Sequence, residues 1–204
     1  MIHNGVPETG HPVFLKAEIS MIDCEHIIDQ YYPQGSDIRP VLVTHSRQVA
    51  QLAVKLAMRQ RQNGVEVDID FVREAAMLHD IGIFLTDAPG IHCHGTEPYI
   101  KHGVLGSELI SALGLPLHAL VCERHTGSGI SVDDILRQQL PLPHRPMLPV
   151  TIEEKIICYA DKFFSKTHLG EPARSVERVR HSLAKFGPEA IGRFNDMEQL
   201  FGLP

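Results

Sequence analysis

Thirteen of the 204 residues are histidine, and four positions in the chain set a histidine or an aspartate among apolar neighbours. His79 and Asp80 stand side by side at the end of an apolar helical pattern. Asp161 falls on the oily side of its own segment, with Ile157, Cys158 and Phe164 at helical spacing around it. His45 shares one stripe with Leu42, Val49 and Leu52. An ionisable group turned toward a core is costly unless it is paired, hydrogen-bonded or bound to metal. A lone histidine in such a place is ordinarily a core residue with a satisfied ring. Three segments that each turn an ionisable group inward have a more economical explanation. A shared cation offsets the carboxylate charge and gives each neutral imidazole a partner. The chemistry this indicates is metal-centred.

Helices are needed to hold such groups, and the sequence supplies them. A first helix is expected from Ile19 to Tyr32, stopping at Pro33. A second, capped by Ser36 or Asp37, runs past Pro40 to about Gln62 and ends at Asn63-Gly64. The spacing predicts a third over Ile69–Ile81, with Val72, Ala75, Ala76 and His79 on one face and Gly82 as its stop. Thr86 to Pro98, rich in turn formers, reads as a loop. Helices resume over Tyr99–Leu113 and Pro116–His125, and a proline-rich stretch with one short helix follows. Thr151-x-x-Glu154 opens the next helix as a capping box. The tail from Glu171 to Phe201 holds two helical patterns broken at Gly187-Pro188. No segment sustains period-2 alternation, so the expected fold class is all-α, a helical bundle with extra C-terminal helices.

Composition narrows the function classes. A net charge of −6 without a basic stripe argues against a duplex nucleic acid partner, which demands many neutralised phosphates. A small phosphorylated molecule needs only a metal or a few local cations. No apolar run approaches the roughly 18 to 20 residues of a membrane span. The N-terminal MIHNGVPETGHPVF has neither the basic start nor the apolar stretch of a secretory signal, so a cytoplasmic location is expected. Cys24, Cys93, Cys122 and Cys158 form no C-x-x-C pair, which disfavours a zinc knuckle or redox motif and leaves them as buried or incidental thiols.

The order H…HD…D, carried by VTHSRQVA, AAMLHDIG and YADKFF, resembles the HD-domain metal-dependent phosphohydrolases, in the HDIG variant, over roughly residues 36 to 170. Lys101-His102-Gly103-Val104-Leu105-Gly106 is similar to the H-x-x-x-G segment of HD proteins that hold two metals, and Glu123-Arg124-His125-Thr126-Gly127 to their later histidine segment. The ERH-x-G-x-G-I pattern followed by TIEEKI…AD looks particularly like an uncharacterised bacterial and archaeal HDIG subfamily. More distantly it looks like the HD hydrolases that split diadenosine tetraphosphate symmetrically. The resemblance makes residues 19–170 the HD domain, with 1–18 as an N-terminal arm and 171–204 as a helical extension packed on the same domain.

That resemblance implies a metal held by His45, His79, Asp80 and Asp161, with Asp80 bridging to a second metal completed by His102 and His125. His79 and Asp80 are then the catalytic pair, positioning metal and water. A mixed nitrogen and oxygen ligand set without thiolate suits a dinuclear Fe or Mn site, with Zn, Co, Ni or Mg as other candidates. The implied activity is hydrolysis of a phosphate ester or phosphoanhydride in a nucleotide-like small molecule. The alternatives are a metal-containing nucleotide sensor without turnover and di-iron oxygenase chemistry. Self-association into a homo-oligomer is left open.

One departure concerns substrate. HDIG is commonly followed by Lys or Arg, whereas Ile83 stands here; Lys101, Arg124 and Lys162 are the candidates to contact phosphate instead. His92 and His94 in GIHCHG read as incidental loop imidazoles, or else as a loop over the pocket. His118, His144, His168 and His181 receive no functional reading.

Overall fold

A computed structural model describes residues 21–203 of the protein; the expected N-terminal arm, 1–18, lies outside them. Among the described residues the helices follow the order α1 (Cys24–Tyr31), α2 (Ile38–Gln62), α3 (Ile69–Leu78), α4 (His102–Ala112), α5 (Pro116–Arg124), α6 (Val132–Gln138), α7 (Ile152–Asp161), α8 (Val176–Leu183) and α9 (Pro188–Phe201). The fold is all-α, with one small sheet. None of these helices is long and apolar enough to cross a membrane.

Local chemistry sets the helix ends. Helix α1 starts at Cys24 rather than at Ile19, because the Asp23 carboxylate accepts the His26 N–H at 2.9 Å and caps it there. Helix α2 begins as expected behind Asp37 and takes Pro40 in its first turn, where a missing N–H leaves no bond unmade. Helix α3 is shorter than its apolar spacing predicts. It ends at Leu78, and three-residue turns take over, with Ile81 N–H donating to Leu78 O and Ile83 N–H to Asp80 O, both at 3.0 Å. Glycine is not the stop: Gly82 keeps an ordinary φ of −85°. At α7, Thr151 Oγ1 accepts the Glu154 N–H as a capping box requires, but Glu154 does not return the bond. Its carboxylate accepts from Val150 N–H at 2.6 Å and pairs with Arg124.

The stretch expected to be a loop is more ordered than that. Short strands β1 (Thr86–Ala88), β2 (Cys93–His94) and β3 (Glu97–Pro98) form a sheet in the order β2-β1-β3. Asp87 lies opposite His94 in an antiparallel pair and Thr86 beside Glu97 in a parallel one. Strands of two or three residues are too short to show alternation, which is why the sequence reads as turns.

The core has two main parts. Leu42, Leu78, Ile81, Ile83 and Cys122 pack with Ile28 and Tyr32 of the α1 region. Val49, Leu56, Val72, Ala76, Ile156 and Ile157 pack with Phe194 and Phe201 of α9. The ends of α3, α5 and α7 and the start of α4 meet beside α2 between these two masses, and the ionisable groups sit there.

Candidate metal centre

His45 projects from within α2; His79 follows α3, His102 opens α4, His125 follows α5 and Asp161 closes α7. Close backbone approach makes this meeting feasible. A Cβ on Gly82 would lie 2.4 Å from both Gly106 N and His102 O, so only glycine lets the turn after α3 touch α4. Gly103 does the same between α4 and α5, where a Cβ would lie 2.6 Å from Cys122 O.

All five ligand-type residues and Asp80 between them are buried, with His79 and Asp80 completely shielded. Two groups form around Asp80: His45, His79, Asp80 and Asp161 on one side, Asp80, His102 and His125 on the other. Asp80 Oδ2 lies 3.1 Å from His45 Nε2 and 3.0 Å from His79 Nε2. Its Oδ1 lies 3.4 Å from both His102 Nε2 and His125 Nε2. Asp161 Oδ1 closes the first group, 2.9 Å from His45 Nε2 and 3.5 Å from His79 Nε2.

The histidines reveal what these groups await. His79, His102 and His125 each donate Nδ1–H to the backbone carbonyl three residues earlier, Ala76, Tyr99 and Cys122, at 2.6, 2.7 and 2.7 Å. That bond turns Nε2 toward the cluster in all three, and in His102 and His125 it leaves Nε2 as a bare lone pair. His102 Nε2 and His125 Nε2 then face each other at 3.1 Å. Burial lowers the pKa of both, His102 to about 3, so neither carries a proton to bridge them near neutrality. Two acceptors face to face need a cation between or beside them. His79 Nε2 and both Asp80 oxygens receive no aligned hydrogen bond. Nitrogen and oxygen ligands about 2.1 Å from one ion lie about 3.0 to 3.4 Å from each other, close to the separations found here. The residues fit a divalent metal in each group.

Charge is balanced in part by two lysines. Lys162 Nζ lies 2.7 Å from Asp161 Oδ2, and Lys166 Nζ lies 2.6 Å from Asp80 Oδ2. Burial alone would raise the pKa of both carboxylates. For Asp80, His79 and Lys166 outweigh it and hold the acid well below its usual range. For Asp161, Lys162 and His45 do the same. Burial alone would lower His79, yet the Asp80 charge and the close Asp161 carboxylate raise it to about 9.

The three cations suggested by sequence are placed differently from one another. Lys101 is paired with Glu97 at 2.6 Å, and Arg124 is held by both oxygens of buried Glu154 at 2.9 and 3.0 Å. Lys162 lines the cleft above the cluster. His92 and His94 are exposed on either side of buried Cys93, and His118 packs against Glu74 at 3.3 Å. Sequence reasoning missed Lys166, and also Tyr99, whose ring stacks on His102 with centroids 4.7 Å apart. Helical phase could not find Lys166, because α7 has ended at Asp161 and a turn and irregular chain precede it. The cysteines are free, with Cys93, Cys122 and Cys158 buried.

A helical bundle with five inward His and Asp residues around the Asp80 carboxylate has the donor set of a metal-binding α-protein. Residues 42–165 match the model of the HD domain family, and the chain belongs to that family. It is 36% identical over 148 residues to the uncharacterized protein MJ0778 of Methanocaldococcus jannaschii, covering 72% of this chain and 80% of that one. Two tRNA (cytidine(56)-2'-O)-methyltransferases also resemble it. That of Thermoplasma volcanium is 29% identical over 82% of this chain but 43% of its own length. That of Picrophilus torridus is 30% identical over 61% of this chain and 32% of its own length. No solved structure matches significantly.

Proposed function

We propose that the chain is a metal-dependent phosphohydrolase that cleaves a phosphate ester or phosphoanhydride in a nucleotide-like small molecule. The observation that carries this reading is the set around Asp80: two carboxylate oxygens that accept no aligned hydrogen bond and three Nε2 atoms, each aimed at a shared space. Divalent metals bound there would supply an activated water and polarise a phosphoryl oxygen. The chain's own residues do the rest. Asp80 turns Oδ2 toward His45 and His79 and Oδ1 toward His102 and His125, so it would serve both groups. The Nδ1–carbonyl bonds of His79, His102 and His125 keep Nε2 of each ring pointed inward. His79 and Asp80 are wholly shielded from solvent and the other four residues of the cluster are buried, so the charges act at low dielectric. Lys162 and Lys166 stand where negative charge on a bound phosphoryl group would gather. Lys101 and Arg124, already engaged by Glu97 and Glu154, buttress the site rather than contact phosphate.

The set of nitrogen and oxygen donors supports Mn or Fe as the natural pair. Purified protein loaded with Mn²⁺ or Fe²⁺ releases phosphate or nucleoside from a panel of nucleotides, and the His79→Ala/Asp80→Ala variant does not. Turnover surviving in that variant refutes the assignment. Tight nucleotide binding with no release under any metal would replace catalysis by sensing, and oxygen uptake would replace it by oxygenase chemistry.

A further inference from the structure

The cleft over the cluster has a volume of about 330 Å³, and only one of its walls belongs to the residues that hold metal. His102, His125 and Asp161 form the floor, and Lys162 and Lys166 the near side. The far side comes from the C-terminal segment, through Arg174, Ser182, Lys185 and Phe186. A chain of net charge −6 therefore sets four cations around one opening, against the single carboxylate of Asp161.

These cations are not equivalent. Lys162 and Lys166 are matched by Asp161 and Asp80. Among the described residues, no carboxylate lies within 4 Å of Arg174 or Lys185, although acidic side chains outnumber basic ones in this chain. Arg174 is also held in place: its backbone N–H donates to Phe163 O at 2.9 Å, which ties the segment to the end of α7 two residues from Asp161. Lys185 Nζ sits 4.8 Å from the Phe186 ring centroid, and both residues line the cleft. Arg174 and Ser182 also line an adjoining depression with Glu177, Arg178 and His181, where two guanidinium groups face one carboxylate.

We propose that Arg174 and Lys185 form a second anion subsite, and that the substrate carries at least two phosphoryl groups, one over the metals and one held by the C-terminal segment. This rests on the phosphohydrolase reading for the identity of the first group, but not for the existence of the subsite. A single phosphate seated at the cluster is served by Lys162, Lys166 and the metals. Two further cations at the outer wall have an anionic partner only if the ligand extends to them. The cleft has the size of a site for a small phosphorylated molecule, and guanidinium is the side chain best shaped to grip a phosphoryl group by two bonds.

The test uses two non-hydrolysable probes, trimethylenediphosphonate and propylphosphonate, which differ by one anionic group. Both are titrated calorimetrically into the Mn²⁺-loaded full chain. The wild type binds the diphosphonate about 10-fold or more tightly than the monophosphonate, the preference expected of a charge-assisted contact. In Arg174→Gln/Lys185→Met, which keeps both side-chain stems, that preference falls to about 2-fold or less while propylphosphonate affinity is unchanged. Arg174→Lys/Lys185→Arg, which keeps both charges, retains most of it. Equal affinity of the wild type for the two probes, or an unaltered preference in the neutral variant, overturns the subsite. Nucleotide turnover assayed in parallel separates the two readings. A lost preference in the neutral variant of a protein that hydrolyses nothing leaves the subsite standing and removes the phosphohydrolase. Normal turnover with no preference does the reverse.

Discussion

Three of the four imidazoles of the cluster, those of His79, His102 and His125, have one nitrogen committed to a backbone carbonyl, and proton balance depends on what the other nitrogen meets. In the metal-free protein His79 has its pKa raised to about 9, so at pH 7 its Nε2 carries a proton that a metal must displace. Metal binding therefore releases about one proton at pH 7, and affinity rises with pH until it levels above about pH 9. Calorimetry in buffers of different ionisation enthalpy measures this; a buffer-independent heat at pH 7 would contradict it. Folding stability without metal follows the same groups. The His79 contribution is full below the unfolded value of 6.5 and is lost as pH climbs through about 9. His102 and His125, with lowered values, act oppositely: below pH 6.5 the unfolded chain takes up protons that the folded one refuses. Lys166 gives a second prediction. Its ammonium is the cation nearest Asp80, and breaking a buried ion pair costs about 3 to 5 kcal/mol. Lys166→Met is destabilised by about that much in chelator and by clearly less with Mn²⁺ present, because metal supplies the missing positive charge. Denaturation midpoints under the two conditions decide; equal losses would show that Lys166 is not an electrostatic partner of the cluster.

The helices explain how far a reader of the sequence can go. His45, His79, Asp80 and Asp161 were legible because each follows an apolar stripe whose period gives its direction. Gly82 was legible only as a helix stop, and the structure gives it a different task. With α3 already finished at Leu78, Gly82 instead lets the following turn press against α4 at Gly106 and His102. Close approach between two distant segments leaves no periodic trace, so spacing could not show it. A methyl group there meets backbone rather than a yielding side chain. Gly82→Ala should cost about 1 to 3 kcal/mol or more through overpacking, and should push α4 outward so that the group containing His102 weakens before the group containing His45. Metal titration of the purified variant checks this: one of two metal equivalents is lost or weakened first, whereas a uniform loss of both would mean general unfolding. The small sheet at 86–98 was missed for a related reason, since its strands are shorter than one repeat of the pattern that announces a strand.

At the scale of the molecule, the least legible part of the site is the wall contributed by residues beyond α7. Nothing in the spacing of Arg174, Ser182 or Lys185 links them to histidines more than 45 residues earlier in the chain. They arrive because α8 and α9 bury Val179, Leu183, Phe194 and Phe201 against Tyr159, Phe163 and their neighbours. The cluster at the centre is joined by segments from α2 to α7, so a metal bound there couples most of the fold. A ligand that binds only the folded state stabilises it by RT ln(1 + [L]/Kd), about 4 kcal/mol at 1,000-fold excess over Kd. For a chain of this length each kcal/mol shifts Tm by about 2 to 4 °C. Transfer from chelator to saturating Mn²⁺ should thus raise Tm by about 8 to 16 °C. In His79→Ala/Asp80→Ala the shift should vanish, because that variant lacks the carboxylate common to both groups. A variant that keeps the full shift would place the stabilising ion somewhere other than around Asp80.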